Sequence, residues 1–142
     1  GGIAQIARMK VLEKLQIGER PSFCQSFEQI EELSAKTVAL AAKSGDPLAL
    51  DIYETSGYYL GRGLAILIDI LNPEIIVLGS VYERSEELLW PCAQRVIEQE
   101  ALAISREGCR IVPAELGNKI GDYAALSVAI QGGKNGQRKC SL

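Results

Sequence analysis

Gly79-Ser80-Val81 follows directly on Ile75-Ile76-Val77-Leu78, a short unbroken run of aliphatic residues. Such a run reads as a strand buried on both faces. A glycine at its carboxyl end leaves the main chain bare, so backbone N–H groups can approach a ligand that a side chain would obstruct. Open α/β sheets bind ligands at that end of their strands. Gly117 precedes the last helical stretch, where the amides of a helix amino terminus attract an anion. The chemistry open to Gly79, Ser80, Val81 and Gly117 is therefore recognition by backbone amides, with a strand-ending turn or a loop glycine as the plain alternative. Glu115 and Asp122 read as cap and loop acids rather than catalytic groups.

Nothing else in the chain resembles a reactive centre. There is no histidine, and the four cysteines (Cys24, Cys92, Cys109, Cys140) are scattered without a Cys-x-x-Cys pair. That spacing forms no zinc site and fits thiols in a reducing cytoplasm.

The elements that must position the corner are mostly helical. Ile3, Ile6, Ala7, Val11, Leu12 and Leu15 recur at helical spacing, which predicts a helix over 3–16 ended by Gly18 and Pro21. Ser26 with Gln29 has the form of a capping box, opening a second helix whose inner face is Phe27, Ile30, Leu33, Val38 and Ala41. Gly45 closes it. Asp46 then caps a third helix with Pro47 at its first position. That helix runs for roughly 25 residues to Asn72-Pro73. Gly57, Gly61 and Gly63 lie inside it, each costing ~1 kcal/mol against alanine, which points first to close approach of another backbone and second to a nearby ligand. Asp69 faces a solvated edge or pairs with Arg62, seven residues back.

Beyond the strand, Ser85-Glu86-Glu87 opens a fourth helix with acids at its positive end. Pro91 should kink it before it resumes through Val96 to Ala101. Cys109–Val112 reads as a second buried strand halted by Pro113, and a final helix is expected near Asp122–Ile130. The tail from Lys134 to Leu142 should fray. Tyr82 and Trp90 are expected to be partly exposed. Two parallel strands joined by a right-handed helical crossover make a small sheet with open edges, which normally belongs to a larger one. That count, and a start at Gly1-Gly2 without methionine, are expected of a piece of a larger protein.

Size and charge bound the rest. With 142 residues, 47% hydrophobic, 23% charged and a net charge of −3, the chain has the composition of one globular domain. It lacks the basic face of a nucleic-acid binder. Its longest apolar run, Leu64–Leu71, is broken by Asp69 and too short to span a membrane. No charged-then-apolar leader opens it. The expectation is a cytoplasmic protein.

Several segments taken in order resemble the carboxyl-terminal region of the ROK family. They are Gly45-Asp46-Pro47-Leu48-Ala49, Tyr59-Leu60-Gly61-Arg62-Gly63-Leu64-Ala65, and Leu71-Asn72-Pro73-Glu74-Ile75-Ile76-Val77-Leu78-Gly79. Ile111-Val112-Pro113-Ala114, Leu116-Gly117 and Ala124-Ala125 continue the series. The resemblance covers about Ser44 to Ile130, while residues 3–43 share only helical character. The family comprises bacterial glucokinases, other sugar kinases and sugar-responsive repressors.

The resemblance implies the actin-like, ribonuclease-H-like ATPase fold, with sugar and ATP held between two α/β lobes. Residues 1–133 would be most of the carboxyl-terminal lobe, mainly helical with a small parallel sheet, and 134–142 a flexible tail. Gly79, Ser80, Val81 and Gly117 would then be nucleotide contacts. The family's Asp-x-Gly-Gly-Thr phosphate segment and its catalytic aspartate belong to the other lobe. Its zinc cluster (a histidine with Cys-x-Cys-Gly-x-x-Gly-Cys) lies upstream of these residues. So ATP with magnesium belongs to the parent protein, and this piece alone should be inert. The resemblance also implies homodimers or higher oligomers.

Two positions depart from the family pattern. Ser80 stands where a second glycine is frequent, and a non-glycine residue in left-handed backbone costs roughly 1–2 kcal/mol. Asp122-Tyr123-Ala124-Ala125 stands where Gly-Ala-Ala is common. Both lie on the nucleotide side and put ATP binding in question. The readings that follow are a sugar kinase lobe, the sugar-sensing part of a repressor whose DNA-reading helices lie elsewhere, or an unrelated α/β interaction module with glycines only at turns.

Overall fold

The Asp46-Pro47 pair sets the longest element of the chain. In the computed structural model, which describes residues 2–79 and 81–114, the Asp46 carboxylate accepts the Ala49 N–H at 3.0 Å. Pro47 follows at the first helical position, and α3 runs from Pro47 to Leu71. It ends on Asn72 in the left-handed region (φ 43°), a residue whose short polar side chain tolerates that conformation, just before Pro73. Burial pushes the Asp46 carboxyl up, but the Ser22 hydroxyl at 2.5 Å and the Ala49 amide outweigh it and hold it below the usual range.

A cap with a lowered pKa contributes stability above the ordinary carboxylate pKa and loses it as pH falls through the lowered value. Asp46→Ala should cost about 1 kcal/mol at neutral pH. Asp46→Asn, which keeps a cap without the charge, should flatten the acid limb instead. Urea unfolding between neutral and acidic pH would show both. An acid limb as steep in Asp46→Asn as in the native chain would refute the assignment.

α1 (Gly2–Gln16) buries Ile3, Ala7, Val11 and Leu15, the expected stripe. It stops where Gly18 turns left-handed (φ 84°) and the Glu19 N–H closes onto the Lys14 carbonyl at 2.9 Å. The second helix begins later than the capping box predicts. Ser26 leads only into a single 3-10 turn, Glu28–Ile30, and the Gln29 side chain accepts the Gln25 N–H at 2.7 Å. Phe27 is exposed rather than inside. The helix itself, α2 (Ala35–Lys43), is capped by Ser34, whose hydroxyl accepts the Thr37 N–H at 3.2 Å. Ile30, Leu33, Val38 and Ala41 are buried as expected.

β1 (Ile75–Leu78) is followed by α4 (Val81–Glu100), a short α5 (Ala103–Glu107) that the sequence reading missed, and β2 (Arg110–Pro113). The strands pair in parallel with Ile76 opposite Ile111 and Leu78 opposite Pro113. α3 and α4 pack together over one face, where Leu64, Ala65, Ile68, Ile97 and Ala101 form a core against Ile76, Leu78 and Ile111. Ile75 and Val77 point away and are 45% and 57% exposed. The expectation of burial on both faces is thus corrected: among the described residues, helices cover one face only.

The glycines of α3 divide. Cβ atoms on Gly57 and Gly61 would lie 2.6 Å from the Leu89 and Ala93 carbonyl oxygens, so both are needed for α4 to approach. Gly63 has nothing within 4 Å. Arg62 pairs with Glu100 at 3.2 Å, and Asp69 accepts the Leu102 N–H at 3.0 Å, ahead of α5, so these two do not pair with each other. Inside α4 the non-helical backbone lies at Ser85 (φ −136°, ψ 22°), not at Pro91. A serine hydroxyl competes for nearby backbone groups, so serine readily ends one helical stretch and starts another. The final helix, the tail, Glu115 and Asp122 lie outside the described residues, as does Cys140.

Candidate functional site at the carboxyl end of the sheet

The two strands end side by side. The Ala114 N–H donates to the Leu78 carbonyl at 2.8 Å, which places Gly79 next to Ala114 at the sheet's rim. Gly79 is exposed, and a Cβ there would meet only the Ala114 Cβ, at an ordinary 3.6 Å. Its φ is not left-handed. Neither strain nor crowding by the described residues therefore accounts for glycine at 79. What the glycine provides is a bare stretch of main chain facing open space. Val81 is the first residue of α4 and lies two residues beyond it. Ser80 and Gly117 lie outside the described residues, so the sheet rim brings together Gly79 and Val81 of the four predicted contacts.

The turn from Val81 to Arg84 is anchored from the core. Tyr82 is buried, contrary to the expected exposure, and stacks edge-on against half-buried Trp90 with ring centroids 6.2 Å apart. Burial, then the neighbouring Glu86 carboxylate, pushes the Tyr82 phenol up to about 12, so it stays neutral at physiological pH. Beside this turn a groove of about 400 Å³ opens between α2 and α4. Ala35, Ala39 and Leu40 make its apolar wall, and Lys36, Lys43, Arg84 and Ser85 complete it. Lys43 also pairs with Glu87 at 2.5 Å. An apolar wall rimmed by cations suits a flat apolar group carrying negative charge.

With no histidine in the sequence, the chain cannot supply that ligand of the family's zinc cluster.

The ROK family profile matches residues 6–131. The chain belongs to the ROK family. Among its relatives is the DNA-binding transcriptional dual regulator NagC of Escherichia coli, 29% identical over 135 residues, which are 94% of this chain and 33% of NagC. A glucokinase of Halalkalibacterium halodurans is 36% identical over 121 residues, covering 84% of this chain and 35% of the enzyme. A crystal structure of a ROK-family transcriptional regulator, a homologue of the Escherichia coli Mlc protein, superposes with a TM-score of 0.63 at 32% identity. It covers 78% of this chain and 27% of that one.

This ROK chain thus spans about a third of the length of the curated relatives it matches. Its helical body and two-stranded parallel sheet are a partial actin-like lobe. Its relatives include both an enzyme and DNA-binding regulators. Among the described residues, no helix is long and apolar enough to cross a membrane.

The groove escaped the sequence reading because it joins residues more than forty positions apart.

Proposed function

We propose that this chain is the nucleotide-side, carboxyl-terminal lobe of a ROK sugar kinase, which in the intact protein passes phosphate from ATP to a hexose or hexosamine. The observation that carries this reading is the exposed Gly79 main chain at the sheet rim, glycine where neither φ nor packing requires it. The base and ribose of ATP would lie against Gly79 and the turn at Val81, with the α2–α4 groove beside them. Ser80 and Gly117 are proposed as further contacts. Magnesium and the phosphates would be held chiefly by the other lobe, as would the base for the sugar hydroxyl. A cytoplasmic homo-oligomer is the expected form of the whole protein.

A second reading, the sugar-sensing part of a transcriptional repressor, is favoured by the NagC relative, which spans 94% of this chain. Serine at 80 also fits a nucleotide site that has been relaxed.

The test uses the intact protein. Native protein should phosphorylate a hexose or hexosamine with ATP, and Gly79→Val should raise the KM for ATP about tenfold, the worth of ~1.4 kcal/mol. The KM for sugar should barely change. Among the described residues a Cβ at 79 meets only Ala114, at an ordinary distance, so the fold is expected to tolerate the substitution. Unchanged ATP affinity would remove the corner from the site. Sugar binding without phosphoryl transfer, together with sugar-dependent release from DNA, would establish the repressor.

A further inference from the structure

One hydroxyl joins three helices directly behind the turn that follows Gly79. Tyr53, on α3, is 1% exposed, and its phenol donates to the Ala35 carbonyl of α2 at 3.1 Å. The same phenol oxygen lies 3.2 Å from the Ser85 Oγ. With the phenol proton directed at Ala35, Ser85 is the donor in that second bond.

Ser85 is the residue at which α4 breaks, and it is 4% exposed. Because of the break, Val81–Arg84 is a separate turn whose orientation is not dictated by the helix beyond it. Ala35 and Ser85 also line the groove between α2 and α4. Packing alone would be satisfied by phenylalanine at 53. What the hydroxyl adds is a fixed direction for Ser85, and through it for the turn between Gly79 and the groove.

We propose that Tyr53 is a positioning residue: its hydroxyl, bridging Ala35 and Ser85, sets the turn after Gly79 against the α2–α4 groove in the geometry that receives the nucleotide. This rests on reading that corner as the nucleotide side. Tyr53 touches no ligand and acts only through Ser85.

Tyr53→Phe in the intact protein deletes the bridge while keeping the ring. Ser85→Ala deletes it from the other end and serves if the first variant folds poorly. Hydrogen exchange at amides 81–85 should accelerate roughly tenfold in either variant, more than in the rest of α4. Affinity for magnesium-ADP should fall about threefold or more, with sugar affinity unchanged. The double variant should be no worse than Tyr53→Phe alone, since that substitution already removes the bond to Ser85.

Exchange at 81–85 no faster than elsewhere in α4 would overturn the inference. So would faster exchange with undiminished magnesium-ADP affinity. Native protein that binds no nucleotide at all defeats the nucleotide reading, and the positioning role with it. The exchange arm alone then reports whether the bridge holds the turn, so the two failures are told apart.

Discussion

Gly61→Ala is expected to destabilise the protein by roughly 1–3 kcal/mol, despite a gain of ~1 kcal/mol in helix propensity. The added carbon would sit 2.6 Å from the Ala93 carbonyl oxygen, 2.8 Å from the Val96 Cβ and 3.0 Å from the Ala93 Cα. Two of those atoms are backbone, so no side-chain rotation relieves the contact and the α3–α4 pair must part. Gly57 meets α4 in the same way at Leu89, one turn earlier along each helix. Gly63→Ala on the same helix is the matched control. It adds the same carbon into open space and should stabilise by up to about 1 kcal/mol, through propensity alone. Urea unfolding of the two variants gives opposite shifts in midpoint. Equal shifts would mean that α3 and α4 do not approach at these glycines.

That contrast also marks what could be read from the chain. Three glycines in one helix signal close packing, but sequence cannot say which of them face the partner. Gly57 and Gly61, one turn apart, share a face, and Gly63 turns away from it. The cap at Asp46, the stop at Asn72-Pro73 and the parallel pairing of two aliphatic strands follow from local chemistry and were legible. The end of β1 at Gly79 was legible for the same reason, since a strand and a glycine are neighbours in sequence.

The failures are all contests between a local signal and a remote partner. Ser26 and Gln29 look like a capping box, yet Ser34 caps the helix because Ile30 and Leu33 reach the core from a 3-10 turn and the loop after it. Arg62 and Asp69 could pair on one helix, but Glu100 and the Leu102 amide, brought close by folding, take them instead. Strand burial was overestimated because Ile75-Ile76-Val77-Leu78 carries no alternation, so the pattern cannot reveal that helices cover one face only among the described residues. The Tyr53 bridge and the α2–α4 groove leave no local trace at all. They join α2, α3 and α4 across 18 and 32 residues of sequence in the case of the bridge.

Ile68→Ala should cost about 2–5 kcal/mol, more than any other truncation considered, and should reach the sheet rim as well. Ile68 is 1% exposed in the cluster that joins Leu64 and Ala65 to Ile97 and Ala101, with Ile76, Leu78 and Ile111 resting on it. Removing three carbons beneath the strands leaves a cavity that α3 cannot fill, because its glycine contacts with α4 already fix the spacing. Leu78 immediately precedes Gly79, so a strand that settles into the cavity draws the bare corner with it. The expected signature is therefore a lower denaturation midpoint with an unchanged slope and, on the proposed nucleotide reading, weaker ATP binding by the intact protein. Ile66→Ala, on the opposite face and 54% exposed, should cost well under 1 kcal/mol and leave ligand affinity alone. If the two substitutions cost the same, the helix does not present Ile68 to the sheet, and the corner at Gly79 would not rest on this core.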